Sequence, residues 1–136
     1  MHRIERHYEL SPVLAEGIDQ LHTALNAFWA EAGVAPEAQI RLSTALAEVV
    51  ANILQYAVAA EAEPIQLRLR CTPHLIEARL VDRGHRWERP ESTFVLPDDW
   101  EERGRGLAIA AAILDRLQYR RLRERNCWRL VLFIHP

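Results

Sequence analysis

Residues 42–58, LSTALAEVVANILQYAV, carry two patterns at once. Leu42, Ala45, Leu46, Val49, Val50, Ile53, Leu54 and Ala57 recur at i, i+3, i+4 and i+7, the spacing of one apolar stripe on a helix. The opposite face holds Arg41, Thr44, Glu48, Asn52 and Gln55. Glu48 and Asn52 stand one turn apart on it, so both can address the same object. Proline at position 36 suits the first turn of a helix, where its fixed φ is an advantage and its missing N–H no loss. The pattern predicts one continuous helix over residues 36–59.

Upstream, residues 4–10 alternate as a strand does and end at Ser11-Pro12, where the serine is placed to cap a helix opening on the proline. Val13, Leu14, Ile18, Leu21, Leu25 and Phe28 then recur at helical spacing until Gly33 supplies a stop. Downstream of Pro64 the period changes to two. Ile65, Leu67 and Leu69 alternate with Gln66, Arg68 and Arg70, and after a Thr72-Pro73 turn Ile76, Ala78 and Leu80 alternate with Glu77 and Arg79. These are the two halves of an antiparallel hairpin. Parity puts Asp82 on the buried face with Leu80, where a carboxylate needs a partner.

Residues 85–103 show no period, include Pro90 and Pro97, and are longer than ordinary connections, which predicts a lid. Gly104-Arg105-Gly106 then opens a helix over residues 107–114, apolar throughout and expected to be buried on most sides. Strands near residues 117–123 and 127–134 finish the chain, joined by a turn around Glu124, Arg125 and Asn126. The order predicts one domain over residues 1–136: an α/β (α+β) two-layer sandwich with a mostly antiparallel mixed sheet of about five strands and three helices on one face.

Composition narrows the function. All seventeen basic residues are arginine, and with no lysine the chain cannot be a P-loop enzyme, a conventional protein kinase or a Schiff-base enzyme. A formal net charge of −2 gives no long-range attraction to nucleic acid or anionic membrane. The arginines at 116, 120, 121, 123, 125 and 129 are divided by strand alternation and lie among Asp115 and Glu124, so the expectation is no direct nucleic-acid contact. No stretch reaches the length of a membrane span, and the chain is expected to be soluble and cytoplasmic. Cys71 and Cys127 are ordinary strand residues rather than a disulfide or metal framework.

Three polar clusters fall where the pattern otherwise asks for core: Glu48 with Asn52, Asp82-Arg83-Gly84, and Gly104-Arg105-Gly106. Glycines at a helix start leave backbone N–H groups at the positive end of its dipole, a general site for phosphate. A buried acid beside a glycine can accept a hydrogen bond from the amine of a flat ring such as adenine. The Asn52 amide oxygen can ligate Mg2+, and Glu48 can take a proton from an attacking hydroxyl.

These clusters resemble the motifs of one superfamily. LSTALAEVVANILQYAV resembles the N-box of GHKL (Bergerat-fold) ATPases, LVDRGHRWERP their Asp-x-Gly box, and RGRGLAIAAAILDRLQY the glycine box that follows their lid. Within that superfamily the chain is most similar to the anti-sigma factor serine/threonine kinases, through Gly104-Arg105-Gly106-Leu107 followed by Asp115-Arg116-Leu117. The resemblance implies ATP and Mg2+ as cofactors, Glu48 as general base, Asn52 as the metal ligand, Asp82 as the adenine-binding acid, and Gly84, Gly104, Arg105, Gly106 and Leu107 as nucleotide contacts. It further implies transfer of the γ-phosphoryl group to a serine or threonine of an antagonist (anti-anti-sigma) protein, control of a sigma factor by binding, and a homodimer. Two positions depart from the pattern: Arg86 stands where the Asp-x-Gly box has a second glycine, and Tyr56 where a histidine is frequent. Arg86 motivates the alternative expectation, a nucleotide-poor, partner-switching module of the same fold.

Overall fold

The computed structural model describes residues 3–57, 63–84 and 102–134. In chain order it contains β1 (Ile4–Leu10), α1 (Leu14–Ala32), α2 (Pro36–Asn52), a π-helical turn (Ile53–Ala57), β2 (Ile65–Cys71), β3 (Leu75–Asp82), α3 (Glu102–Ile113), β4 (Arg116–Leu122) and β5 (Arg125–Phe133). The strands form one sheet in the order β1-β2-β3-β5-β4, and every neighbouring pair is antiparallel. The α+β sandwich expected from the sequence is therefore present, with a sheet that is antiparallel throughout rather than mixed.

Alternation builds the inner face. Leu67, Leu69, Ile76, Ala78, Leu80, Trp128, Leu130 and Leu132 are buried there beneath Leu21, Leu25 and Phe28 of α1 and Leu42, Leu46, Val49 and Val50 of α2. Removal of this apolar area from water is the main force holding the helix layer on the sheet. A bidentate pair from Arg6 of β1 to Glu31 of α1, at 3.0 and 2.6 Å, and a bond from Trp29 Nε1 to Ser43 Oγ at 3.2 Å fix the register of the layers.

Four local expectations change. Helix α1 begins at Leu14 with Val13 as its uncapped N-cap. Ser11 Oγ instead accepts the Val13 N–H at 3.1 Å, closing a turn ahead of the helix, so the serine does its bonding one turn early. Gly33 is the αL stop, with φ of 64°. The second helix does not continue as α: after Asn52 it widens into the π turn, an insertion that a hydrophobic period cannot reveal. Helix α3 starts at Glu102, before the glycines, and Ile109 and Ala112 lie exposed on it, so it is buried on one side only. The final turn is confined to Arg123 and Glu124, with Arg123 at φ of 58°, and Arg125 and Asn126 already belong to β5.

Candidate functional site

Helix α2 ends in an anomaly. Asn52 is 4% exposed, yet neither its Nδ2 nor its Oδ1 has a hydrogen-bond partner among the described residues. A side-chain amide offers two donors and two lone pairs, and each buried unmet group costs about 1–3 kcal/mol. Sequences keep such a residue where something else satisfies it. The π turn begins at the next residue, and π insertions of this kind are frequent at functional sites.

One turn earlier Glu48 is half-buried against α3. A Cβ built on Gly106 would fall 2.6 Å from Glu48 Oε2, so only glycine at that position admits the carboxylate at this depth. The two helices run antiparallel, because Arg41, near the start of α2, donates from Nη2 to the carbonyl of Ile113 at the end of α3, at 2.9 Å. That bond also satisfies one of the carbonyls a helix end leaves open. The structure thus joins the first and third clusters of the sequence reading: Glu48 touches Gly106, and Asn52 lies one turn along the same face.

The second cluster forms at the end of β3. Asp82, the last residue of β3, is 3% exposed. Its Oδ1 accepts the Gly84 N–H at 2.8 Å and Asn126 Nδ2 at 2.9 Å. Its Oδ2 has no hydrogen-bond partner among the described residues. Burial pushes the Asp82 carboxyl above its ordinary range, and the hydrogen bonds from Asn126 and Gly84 and the Arg121 charge offset only part of that shift. Asn126 is itself clamped: its Oδ1 accepts from Tyr119 at 2.6 Å and from Arg121 Nη1 at 3.2 Å, while the same Arg121 nitrogen donates to the Gly84 carbonyl at 2.7 Å. One carboxylate oxygen is thereby saturated and held; the other has no direct hydrogen-bond partner among the described residues, and the Trp128 indole acts on the same carboxyl group.

Asn126, Tyr119 and Arg121 escaped the sequence reading. The signal was present: Asn126 shares parity with Trp128, Leu130 and Leu132, and the register sets it directly opposite Asp82. Assigning it to a turn hid that parity. Of the other expected residues, Gly84 is buried and bonded to Asp82. Gly104, Arg105 and Gly106 sit inside the opening turns of α3 rather than ahead of it. Since the first four N–H groups of a helix lack intrahelical acceptors, that of Gly104 belongs to the set open to an anion, and those of Arg105 and Gly106 are part of the helical ladder. Leu107 is 1% exposed and packs in the core, so its side chain supports the helix instead of facing a ligand. Residues 85–101 of the expected lid, Arg86 among them, lie outside the described residues, as does the side chain of Tyr56, and its last two, Glu102 and Arg103, belong to α3.

Chemically, the arrangement offers a buried carboxylate oxygen suited to an amine donor, a buried amide with unmet donors and acceptor, a half-buried carboxylate, and a helix start with open N–H groups. Comparison with known proteins agrees with this set. No match to a curated protein was found. A family model described as the histidine kinase-like ATPase domain matches residues 12–132, which takes in both layers and all three clusters. The chain belongs to the histidine kinase-like ATPase domain family, whose fold is an ATP-binding one.

Proposed function

We propose that this protein is a serine/threonine protein kinase that binds ATP with Mg2+ and transfers the γ-phosphoryl group to an antagonist protein, controlling a sigma factor by binding as a homodimer. The observation that carries the reading is Asn52, a buried amide whose two polar atoms lack partners among the described residues, one turn from a carboxylate. Its neutral oxygen is the donor type Mg2+ takes alongside phosphate oxygens and water, so the residue fits the ion. When bound, Mg2+ supplies charge neutralisation on the phosphates.

The protein's own residues then have distinct tasks. Asp82 Oδ2 accepts the exocyclic amine of adenine, while Asn126 and Gly84 hold Oδ1 and fix the angle at which Oδ2 is offered. A ring bearing a carbonyl at that position would face an acceptor with an acceptor, which disfavours guanine. The open N–H groups at the start of α3 receive phosphate oxygens. Glu48 accepts the proton as the partner's hydroxyl oxygen bonds to the γ-phosphorus and ADP departs with the electrons of the broken P–O bond. Most of the rate gain in such a transfer comes from positioning and electrostatics, which is the service a rigid two-helix site provides.

Calorimetric titration of ATP with Mg2+ into the wild-type protein and Asn52→Ala tests the site. Micromolar binding that is lost in the variant supports it. No binding to either protein overturns it in favour of a partner-switching module of the same fold. The kinase step is tested separately: Glu48→Ala should bind ATP yet lose phosphorylation of the cognate antagonist, and undiminished phosphorylation would remove Glu48 from the mechanism.

A further inference from the structure

The three helices cover one face of the sheet, and the opposite face is where the arginines collect. Across β2, β3, β5 and β4 its outward positions hold Arg68, Arg70, Arg79, Arg125, Arg129, Arg116 and Arg120 around the acid Glu77, and the edge strand β1 adds Glu5, opposite Arg70, and Glu9, so among the described residues seven arginines face three acids. The β4–β5 arginines, divided by alternation in the sequence, are rejoined here by three more from β2 and β3; Arg121 leaves the set to bind Asn126 inside, and Arg123 leaves it for the turn.

The arrangement is costly by design rule. Arg68 pairs directly with Arg79, and Arg79 with Arg129, placing a row of like charges across three adjacent strands. Like charges directly opposite one another are unfavourable. Glu77, only 1% exposed, lies in their midst: Arg129 Nε meets Oε2 at 2.5 Å, and Arg70 Nε, Arg79 Nε and Arg68 Nη2 approach Oε1 at 3.3, 3.3 and 3.7 Å. One carboxylate orients four guanidinium groups and neutralises one, so the cluster keeps a large local positive charge. Sequences retain local conflict of this kind where it serves recognition.

We propose that this open sheet face is a docking surface for an acidic segment of a protein partner carrying carboxylates and large apolar side chains. Charge complementarity selects the carboxylates, since guanidinium groups pair with them in bidentate geometry. The apolar component follows from the flanks. Leu122 is 52% and Phe133 44% exposed on this same face, at opposite ends of the β4–β5 ladder, with the Arg116 guanidinium 5.5 Å over the Phe133 ring. Arginine with exposed aromatic and apolar side chains is the composition of a protein interface. A nucleic acid would use the arginines but not the apolar flanks, and the sequence pI of 6.3 lacks the overall basicity of a nucleic-acid binder. The face lies across the sheet from the candidate nucleotide site, so the proposal stands independently of the kinase reading.

The test is fluorescence anisotropy with two labelled probes of equal charge: a peptide of glutamates interspersed with leucine and phenylalanine, and a DNA duplex. The proteins are wild type, Arg120→Glu with Arg125→Glu, whose side chains do not touch Glu77, Arg68→Glu, and a control with Thr23→Glu and Asn26→Glu on the helix layer. Peptide binding should weaken about tenfold in both arginine variants, fall steeply with salt and persist in the control. Circular dichroism and ATP titration on the same samples separate loss of the face from loss of the fold or of the nucleotide site. Equal peptide affinity in folded wild type and variants overturns the proposal. Tighter binding of DNA than of peptide through the same arginines, or a change of oligomeric state on their reversal, overturns it in favour of nucleic acid or a second copy of the chain.

Discussion

Asn52 and Asp82 are both buried with polar atoms left unmet, but they burden the fold differently. The unmet amide of Asn52 costs the ligand-free protein about 1–3 kcal/mol. Asn52→Leu, close in volume and without polar atoms, should raise the unfolding midpoint by a few degrees, roughly, while abolishing ATP binding; a thermal scan with and without nucleotide checks both. Asp82 has a raised carboxyl pKa, so its ionisation opposes folding. The associated stability is full below the ordinary value of 3.8 and is lost as pH rises through the folded value. Asp82→Asn removes that loss and keeps an acceptor for Gly84 and Asn126. Urea unfolding should find it at least as stable as wild type at pH 7, with the advantage vanishing toward pH 3, although ATP binding is lost.

At the scale of elements, the α2–α3 contact depends on a missing side chain. Gly106→Ala places a methyl carbon 2.6 Å from Glu48 Oε2, which must retreat or force α3 outward. The obstructing atom is the far end of a flexible side chain and alanine gains about 1 kcal/mol of helix propensity over glycine, so the net cost is expected to be at most about 1 kcal/mol. In Glu48→Ala the obstruction is gone, so the double-mutant cycle should show Gly106→Ala stabilising by up to about 1 kcal/mol in that background. Urea denaturation of the four proteins measures it, and additive effects would contradict the packing account. The pairing of β3 with β5 is the matching case on the sheet. There the register sets Asn126 opposite Asp82, and Asn126→Ala should lower ATP affinity about tenfold through disorder of the carboxylate, a loss seen in KM more than in kcat.

For the molecule as a whole, the two sheet faces respond oppositely to acid. Burial pushes the Glu77 carboxyl up, but hydrogen bonds from Arg129 and Arg79 and the charges of Arg79 and Arg70 outweigh it and hold the group below its ordinary 4.5. That stability is present above 4.5 and lost as pH falls through the folded value. Glu77→Gln should therefore be less stable than wild type at pH 7, with the gap closing as pH falls below 4.5 and through the folded value. High salt should narrow it in part, because the arginines are partly solvent-exposed although Glu77 is buried. A gap independent of pH would mean that Glu77 acts by packing alone.

The sequence by itself determined the layers and most of the chemistry. Helical and strand periods are local properties of which residues avoid water, so the stripe from Leu42 to Leu54, the alternation from Ile65 to Leu80 and the inward parity of Asp82 were all legible along the chain. Glu48 and Asn52 could be placed on one face for the same reason. The tertiary structure alone decided how distant segments meet: the Glu48–Gly106 contact, the Asn126 clamp on one Asp82 oxygen, and the convergence of four arginines on Glu77. Each joins strands or helices far apart in the chain, and contacts of that kind are set by register and packing, which periodicity does not encode. The π turn after Asn52 belongs with them, since the shift in backbone bonding that widens the helix leaves its hydrophobic pattern unchanged.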